Sequence, residues 1–275
     1  MREMTAVKKP LKHVVIFLVL TFIQTWLSYA AIIIFKLDAV GGLGMAFLIC
    51  GGMAPSLIGV IMALITYDKD ARKEYFRRFY QVRRISVFWW LFILLAFPAI
   101  HAVTALITLA YGGEMPTAHL LQSIIQNPAS LLPVLLVGFF VNGAWPEEWG
   151  WRGFALQPLL DRFGFVKANL LLGSIWAVWH LPLFFMPAMG HYQMGFTGFW
   201  FFVAQSIGLS MIMAFVHLKT KQSILAAMLL HMFYNLTFNL AANFSGAYER
   251  IVYSLTLIAG VAIGVYISSR RQAEA

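Results

Sequence analysis

Long apolar runs separated by short polar stretches make up most of the chain. The first runs from about His13 to Phe35, and the second from about Gly41 to Tyr67, with Gly51, Gly52 and Pro55 inside it. A third covers Ile85 to Tyr111 and holds Pro98 and His101, and a fourth runs from Leu131 to Leu160. Four more lie near Phe165–Phe185, Phe196–Leu218, Gln222–Ala242 and Ile251–Ser268. About 20 apolar residues in a helix cross the hydrocarbon core, so the pattern predicts an all-α polytopic transmembrane bundle of about eight spans. The small residues and the proline of the second run predict a close helix contact and a kink. Pro98 predicts an interruption of the third run, and the length of the fourth means that it tilts or projects from the bilayer. Between them, Thr117 to Gln126 reads as a short helix lying on the membrane.

Composition agrees with this pattern. The chain is 61% hydrophobic and 11% charged, with a mean hydropathy of +0.77, whereas soluble domains carry about 25% charged residues. An integral, multi-pass membrane protein is expected, with a bacterial plasma membrane as its location. The single cysteine, Cys50, excludes an internal disulfide framework and a cysteine metal cluster. Its place in an apolar run reads as an inert, buried thiol.

The net charge of +9 raises the question of nucleic acid, but the basic residues fall between apolar runs and form no single patch. Every Lys and Arg except Lys36, Arg152 and Arg250 falls in segments that an eight-span topology puts on one side. The positive-inside rule makes that side the cytoplasm and places both termini there, with the first run an uncleaved span. Nucleic acid is therefore not an expected partner. Residues 68 to 84 concentrate Lys69, Arg72, Lys73, Arg77, Arg78, Arg83 and Arg84 among Tyr75, Phe76, Phe79 and Tyr80. That reads as a cytoplasmic loop with an interfacial amphipathic helix drawn to anionic headgroups of the bilayer. Asn243-Phe244-Ser245 fits a glycosylation acceptor on the outer side.

The chemistry concentrates in Trp145-Pro146-Glu147-Glu148-Trp149-Gly150-Trp151-Arg152. Ionisable groups at membrane depth cost a few kcal/mol each and mark functional sites. On a helix Glu148 and Arg152, four apart, pair on one face, while Glu147, rotated by about 100°, points elsewhere. One acid is thus structural and the other is left to work. Trp176 with His180, and His231 with Asn235, repeat the i, i+4 spacing on later spans. Counted from the cytoplasmic ends, Glu147 and Asn235 lie about 20 Å deep, His180 about 21 Å and His231 about 14 Å, so all four fit one layer.

A carboxylate shielded from water suits a general base that takes a proton from water and later returns it. Histidines and an amide can hold that water or donate to a developing oxyanion. Glu147, His180 and His231 also make a two-histidine, one-carboxylate set for a divalent metal such as zinc, although HExxH is absent and asparagine is a poor zinc ligand. The residues alone leave metal dependence open.

At these positions the sequence resembles the CPBP family, also called Abi or type II CAAX prenyl endopeptidases, which includes the Ras-converting enzyme. EExxxR is met by Glu147, Glu148 and Arg152, (F/W)xxxH by Trp176 and His180, and HxxxN by His231 and Asn235. The resemblance spans the fourth to the seventh run. It divides the chain into N-terminal helices with the basic loop (1–130), a catalytic core (131–243) and a last span with its tail (244–275). It implies an intramembrane endopeptidase, opening toward the cytoplasm, that cleaves a membrane-associated protein or peptide of prenylated CAAX or leader-peptide type. It also implies that Glu147 activates water, that His180 positions it, that His231 and Asn235 stabilise the oxyanion, and that Glu148, Arg152 and Trp176 support them. Family names often say metalloprotease, although a metal-free glutamate mechanism fits the same residues.

Two other classes compete. An ion-coupled transporter would show paired broken helices in matching halves, and none match here. A non-catalytic membrane binding or immunity protein would keep the fold without needing Glu147.

Overall fold

A computed structural model of the chain describes residues 11–240 and 246–273, with side chains as far as Arg270. The Asn243-Phe244-Ser245 acceptor, the boundary at 243 and the basic residues Arg2, Lys8, Lys9 and Arg271 lie outside the described residues and side chains. Among the described residues all regular structure is helical: α1 (Leu11–Ile34), α2 (Gly42–Gly52), α3 (Ala54–Thr66), α4 (Lys69–Tyr80), α5 (Val87–Ala110), α6 (His119–Gln126), α7 (Leu131–Phe140), α8 (Ala144–Gly150), α9 (Leu156–Trp179), α10 (Gly190–Lys219), α11 (Ile224–Leu240) and α12 (Gly246–Ala273). A π-turn, Trp151–Ala155, joins α8 to α9.

By length and apolarity, α1, α5, the run Pro128–Phe185, α10 and Gly246–Arg270 can each cross a membrane, and α2 with α3, bent by 45°, adds a sixth candidate. The apolar α11 is shorter, at 17 residues. The chain bends in Pro128–Phe185 at Gly164, where φ 73° and ψ 176° break the helix; the sequence pattern splits this run there. The fourth apolar run is not one helix, because Val141–Gly143 and the π-turn divide it. The expected interruption at Pro98 is absent: α5 continues through it, with Phe97 and His101 buried on either side. Neighbouring helices can compensate the one backbone bond a proline removes.

Polar and apolar positions are turned inside out relative to a soluble bundle. On α1 the buried face includes Thr21, Thr25 and Ser28, while Val15, Val19, Ile23 and Leu27 are exposed. Thr25 Oγ1 donates to the Gly51 carbonyl at 2.7 Å and accepts from Trp179 Nε1 at 2.7 Å. In lipid, apolar surface gains nothing by turning inward, so hydrogen bonds and close packing hold helices together. Cys50 follows the same rule. It is exposed, against the expectation of a buried thiol, because an apolar run in a membrane protein also supplies the lipid-facing surface.

Glycines make the closest contacts. A Cβ on Gly150 would collide with the Pro55 carbonyl and come within 2.9 Å of Phe17 Cζ, and one on Gly59 would lie 2.6 Å from Gly150 Cα. Gly150→Ala is expected to destabilise the protein by about 1–3 kcal/mol through overpacking. Gly138→Ala, whose Cβ would meet only Met232 Cγ at 3.5 Å, should melt with the native chain in a detergent thermal-shift assay.

The bundle has two distinct ends. At one, Arg84 Nη1 donates to the Lys221 carbonyl at 2.6 Å, Ser223 Oγ to the Arg78 carbonyl at 3.4 Å and Gln222 Nε2 to Gln157 Oε1 at 2.8 Å. These bonds gather α4, the α10–α11 turn and the start of α9 into a basic end. At the other, Tyr29, Ile32, Ala39, Leu183 and Met186 cluster the end of α1 with the segment after α9.

The amphipathic helix expected in residues 68–84 exists as α4, capped by Asp68, whose side chain accepts from Ala71 N. Part of its aromatic face packs inward, with Tyr75 buried, while Tyr80 is exposed. Tyr75 Oη donates to the Trp149 carbonyl at 2.8 Å, and Phe79 packs on Trp145 and Trp149 with centroids 4.9 and 5.1 Å apart. Burial pulls the Arg78 guanidinium below its ordinary range, opposed by Glu74, 3.7 Å away.

Candidate active site

The acidic stretch starts at a sharp turn. Gly143 caps α8 with φ 88° and ψ −38°, a conformation that a side chain makes costly. Pro146 sits in the first turn, where its missing N–H leaves no intrahelical bond unmade. A Cβ on Gly143 would fall 2.9 Å from Glu147 Oε1 and 3.0 Å from His231 Nε2, so both atoms close around a residue with no side chain. Gly143→Ala is expected to cost about 1–3 kcal/mol in backbone strain and to lower activity further by displacing Glu147 or His231. Comparing peptide cleavage at saturating substrate with the thermal melt separates the two effects.

Glu147 and Glu148 are both buried, at 4% and 0% exposure, and each has a partner one turn later. Glu148 Oε1 accepts from Arg152 Nη1 at 2.9 Å, the pairing read from the spacing. It also meets His231 Nδ1 at 2.8 Å. Glu147 Oε2 accepts from Trp176 Nε1 at 2.6 Å and from Trp151 Nε1 at 3.2 Å. Two indoles thus occupy one oxygen of Glu147, and the other is the one beside Gly143.

Trp176 is the centre of the arrangement. Besides bonding Glu147, its ring lies 4.6 Å under the Arg152 guanidinium, edge-on to His231 with centroids 5.3 Å apart and 5.8 Å from the His180 ring. His180 Nδ1 donates to the Trp176 carbonyl at 2.8 Å; a carbonyl only accepts, so the neutral ring leaves its Nε2 lone pair free. Asn235 Nδ2 donates to the Asn142 carbonyl at 2.7 Å, tying α11 to the turn before α8. The amide keeps its second N–H and its oxygen for other partners.

Glu147, Trp176, His180, His231 and Asn235 line one cavity of about 480 Å³. Asn142 lies on its wall and on those of two smaller cavities, about 220 Å³ beside α2 and about 300 Å³ between α7 and α11. None of the three is lined by a Lys, Arg or Asp. The lining of the largest extends to Met189, Gly190, His191 and Asn239.

Among the described residues, no group of three or more His, Cys, Asp or Glu is placed to hold a metal ion, so Glu147, His180 and His231 do not form such a set.

Several contributors were missed at the sequence level. Trp151 stands four residues after Glu147, so the spacing that paired Glu148 with Arg152 also signalled it. Asn142-Gly143 is a turn dipeptide inside an apolar run, another readable signal. His191, stacked on His180 with centroids 5.7 Å apart, and the bond from Glu148 to His231 carry no local signal, because they join distant segments.

Fold and site define a class: a polytopic helical membrane protein in which the buried Glu147 and His231, with His180 and the Asn235 amide, line one cavity. Residues 128–237 match the family described as Type II CAAX prenyl endopeptidase Rce1-like. The matched stretch holds all three motifs. CAAX prenyl protease 2 of Methanococcus maripaludis is similar at 26% identity over 227 residues, 82% of this chain and 80% of that one.

Proposed function

We propose that this protein is an intramembrane endopeptidase that hydrolyses a peptide bond of a membrane-associated substrate with water activated by Glu147. The observation that carries this reading is the division of labour within Glu147. Two indole N–H groups hold Oε2, while Oε1 and His231 Nε2 lie 2.9 and 3.0 Å from where a Cβ on Gly143 would sit, on the cavity that also takes His180 and Asn235.

Charge balance supports it. Two carboxylates and one guanidinium leave one surplus negative charge in the buried cluster, and one proton cancels it. Carried by His231, facing Glu148, that proton makes an imidazolium whose Nε2–H donates to an oxyanion. In the proposed reaction Glu147 Oε1 takes a proton from water, whose other hydrogen is held by His180 Nε2. The oxygen attacks the carbonyl carbon, and the oxyanion is held by His231 and the second N–H of Asn235. Collapse breaks the C–N bond, and Glu147 returns its proton to the leaving amine. Arg152, Glu148 and Trp176 act by holding these groups in place. No metal enters this scheme.

The test uses purified protein in detergent with fluorogenic peptides, prenylated and unmodified, and locates the new amino terminus by mass spectrometry. A protein that cuts none of them while fully folded is not an endopeptidase for this class of substrate.

A further inference from the structure

At the basic end, the turn from α4 to α5 and the turn from α10 to α11 enclose a pocket of about 570 Å³, lined by Tyr80, Gln81, Val82, Arg83, Arg84 and Lys221. Small-molecule pockets are of this size, about 300–1,000 Å³. Arg84 builds it: Nη1 donates to the Lys221 carbonyl at 2.6 Å, Nη2 to Glu74 Oε1 at 2.6 Å and Nε to Gln81 Oε1 at 3.0 Å. One side chain thus fastens the two turns together. It also steadies Lys221 at φ 54°, where a residue with a side chain stays only if its surroundings hold it. What the walls still offer is a set of donors. Gln81 Oε1 is taken by Arg84, which leaves the amide NH2, and the exposed Tyr80 has its hydroxyl hydrogen to give. Arg83 and Lys221 are exposed, and among the described residues neither forms an ion pair. No Asp or Glu lines the pocket, and Glu74, behind Arg84, is shared with Arg78.

This anion site runs directly into apolar surface. Val82 on its wall is exposed, as are Val87, Phe88, Leu91 and Leu95 at the start of α5. Positions 87, 91 and 95 follow the i, i+4, i+8 spacing and form one stripe, on a helix long and apolar enough to cross a membrane. A ligand that fits both parts has a negative head and apolar chains. We propose that the pocket binds the phosphodiester headgroup of one anionic phospholipid, whose chains lie along the exposed stripe of α5. The planar guanidinium of Arg83 matches two phosphate oxygens at once, and the Lys221 ammonium adds a point charge. A free phosphate ester would satisfy the same donors and leave the stripe unused. The site selects Arg83 and Lys221 from the basic residues of this end, whereas Lys69 and Lys73, exposed on α4, lie outside it. Lipid binding here is independent of the cleavage reaction.

The test measures binding of fluorescent phosphatidylglycerol to the full chain in a neutral detergent, with unlabelled lipids as competitors. Phosphatidylglycerol should compete and phosphatidylcholine, which carries the same phosphate beside a cation, should not. Each basic side chain beside an anionic headgroup contributes about fivefold, so the double variant Arg83→Gln, Lys221→Gln should bind about 25-fold more weakly. The double variant Lys69→Gln, Lys73→Gln removes the same charge from the same end and should bind as the native chain does, as should Lys221→Arg. Both double variants should melt with the native chain when no lipid is added. Equal losses in the two double variants would mean a diffuse attraction to basic surface and overturn the site, and so would a 25-fold loss in Lys221→Arg. Competition by glycerol 3-phosphate as strong as that by phosphatidylglycerol would make the ligand a free phosphate ester and overturn the lipid.

Discussion

Glu147→Gln is expected to remove most peptide cleavage while the protein folds and melts much as the native chain does. The side chain keeps its shape, and the amide oxygen can take the place of Oε2 and accept from Trp176 and Trp151, the bonds that anchor it now. Its NH2 group then faces the cavity, where it cannot take a proton from water. Loss of a general base lowers rates by roughly 10² to 10⁴. Single-turnover cleavage of a fluorogenic peptide, read beside a thermal melt, measures both properties. An active, stable Glu147→Gln protein would sink the role proposed for this residue.

Glu148→Gln should fail differently, in stability as well as activity. Arg152 is 1% exposed, and its only ion pair among the described side chains is with Glu148. Its Nε and Nη2 have no hydrogen-bond partner there. Removing the charge of Glu148 leaves a guanidinium uncompensated in low dielectric, at a cost of about 3–5 kcal/mol. The cation–π contact with Trp176 at 4.6 Å offsets only about 2 kcal/mol when desolvated. Because Glu148 also faces His231 at 2.8 Å, the variant should lose activity even where enough of it folds to assay. A double variant in which Arg152 is also made neutral and apolar is expected to recover part of the melting temperature and none of the cleavage. Full stability of Glu148→Gln alone would mean that the pair contributes little to the fold.

The helical class and the composition of the site were legible along the chain because both rest on local spacing. Apolar runs of bilayer length select helices in a membrane, since only a helix satisfies its own backbone there. The i, i+4 rule found the bond between Glu148 and Arg152, and would have found that between Glu147 and Trp151, because residues four apart on a helix are neighbours whatever the rest of the chain does. The motif residues Glu147, Trp176, His180, His231 and Asn235 stood out as polar groups in apolar runs, and they line one cavity.

What the tertiary structure alone decided concerns segments far apart in sequence and the directions side chains take between them. That His231 faces Glu148, that Trp176 bonds Glu147, and that Tyr75 and Phe79 of α4 pack on the tryptophans of α8 all follow from how helices pack. A hydropathy pattern also cannot say whether an apolar residue faces lipid or protein, which is why Cys50 was misread.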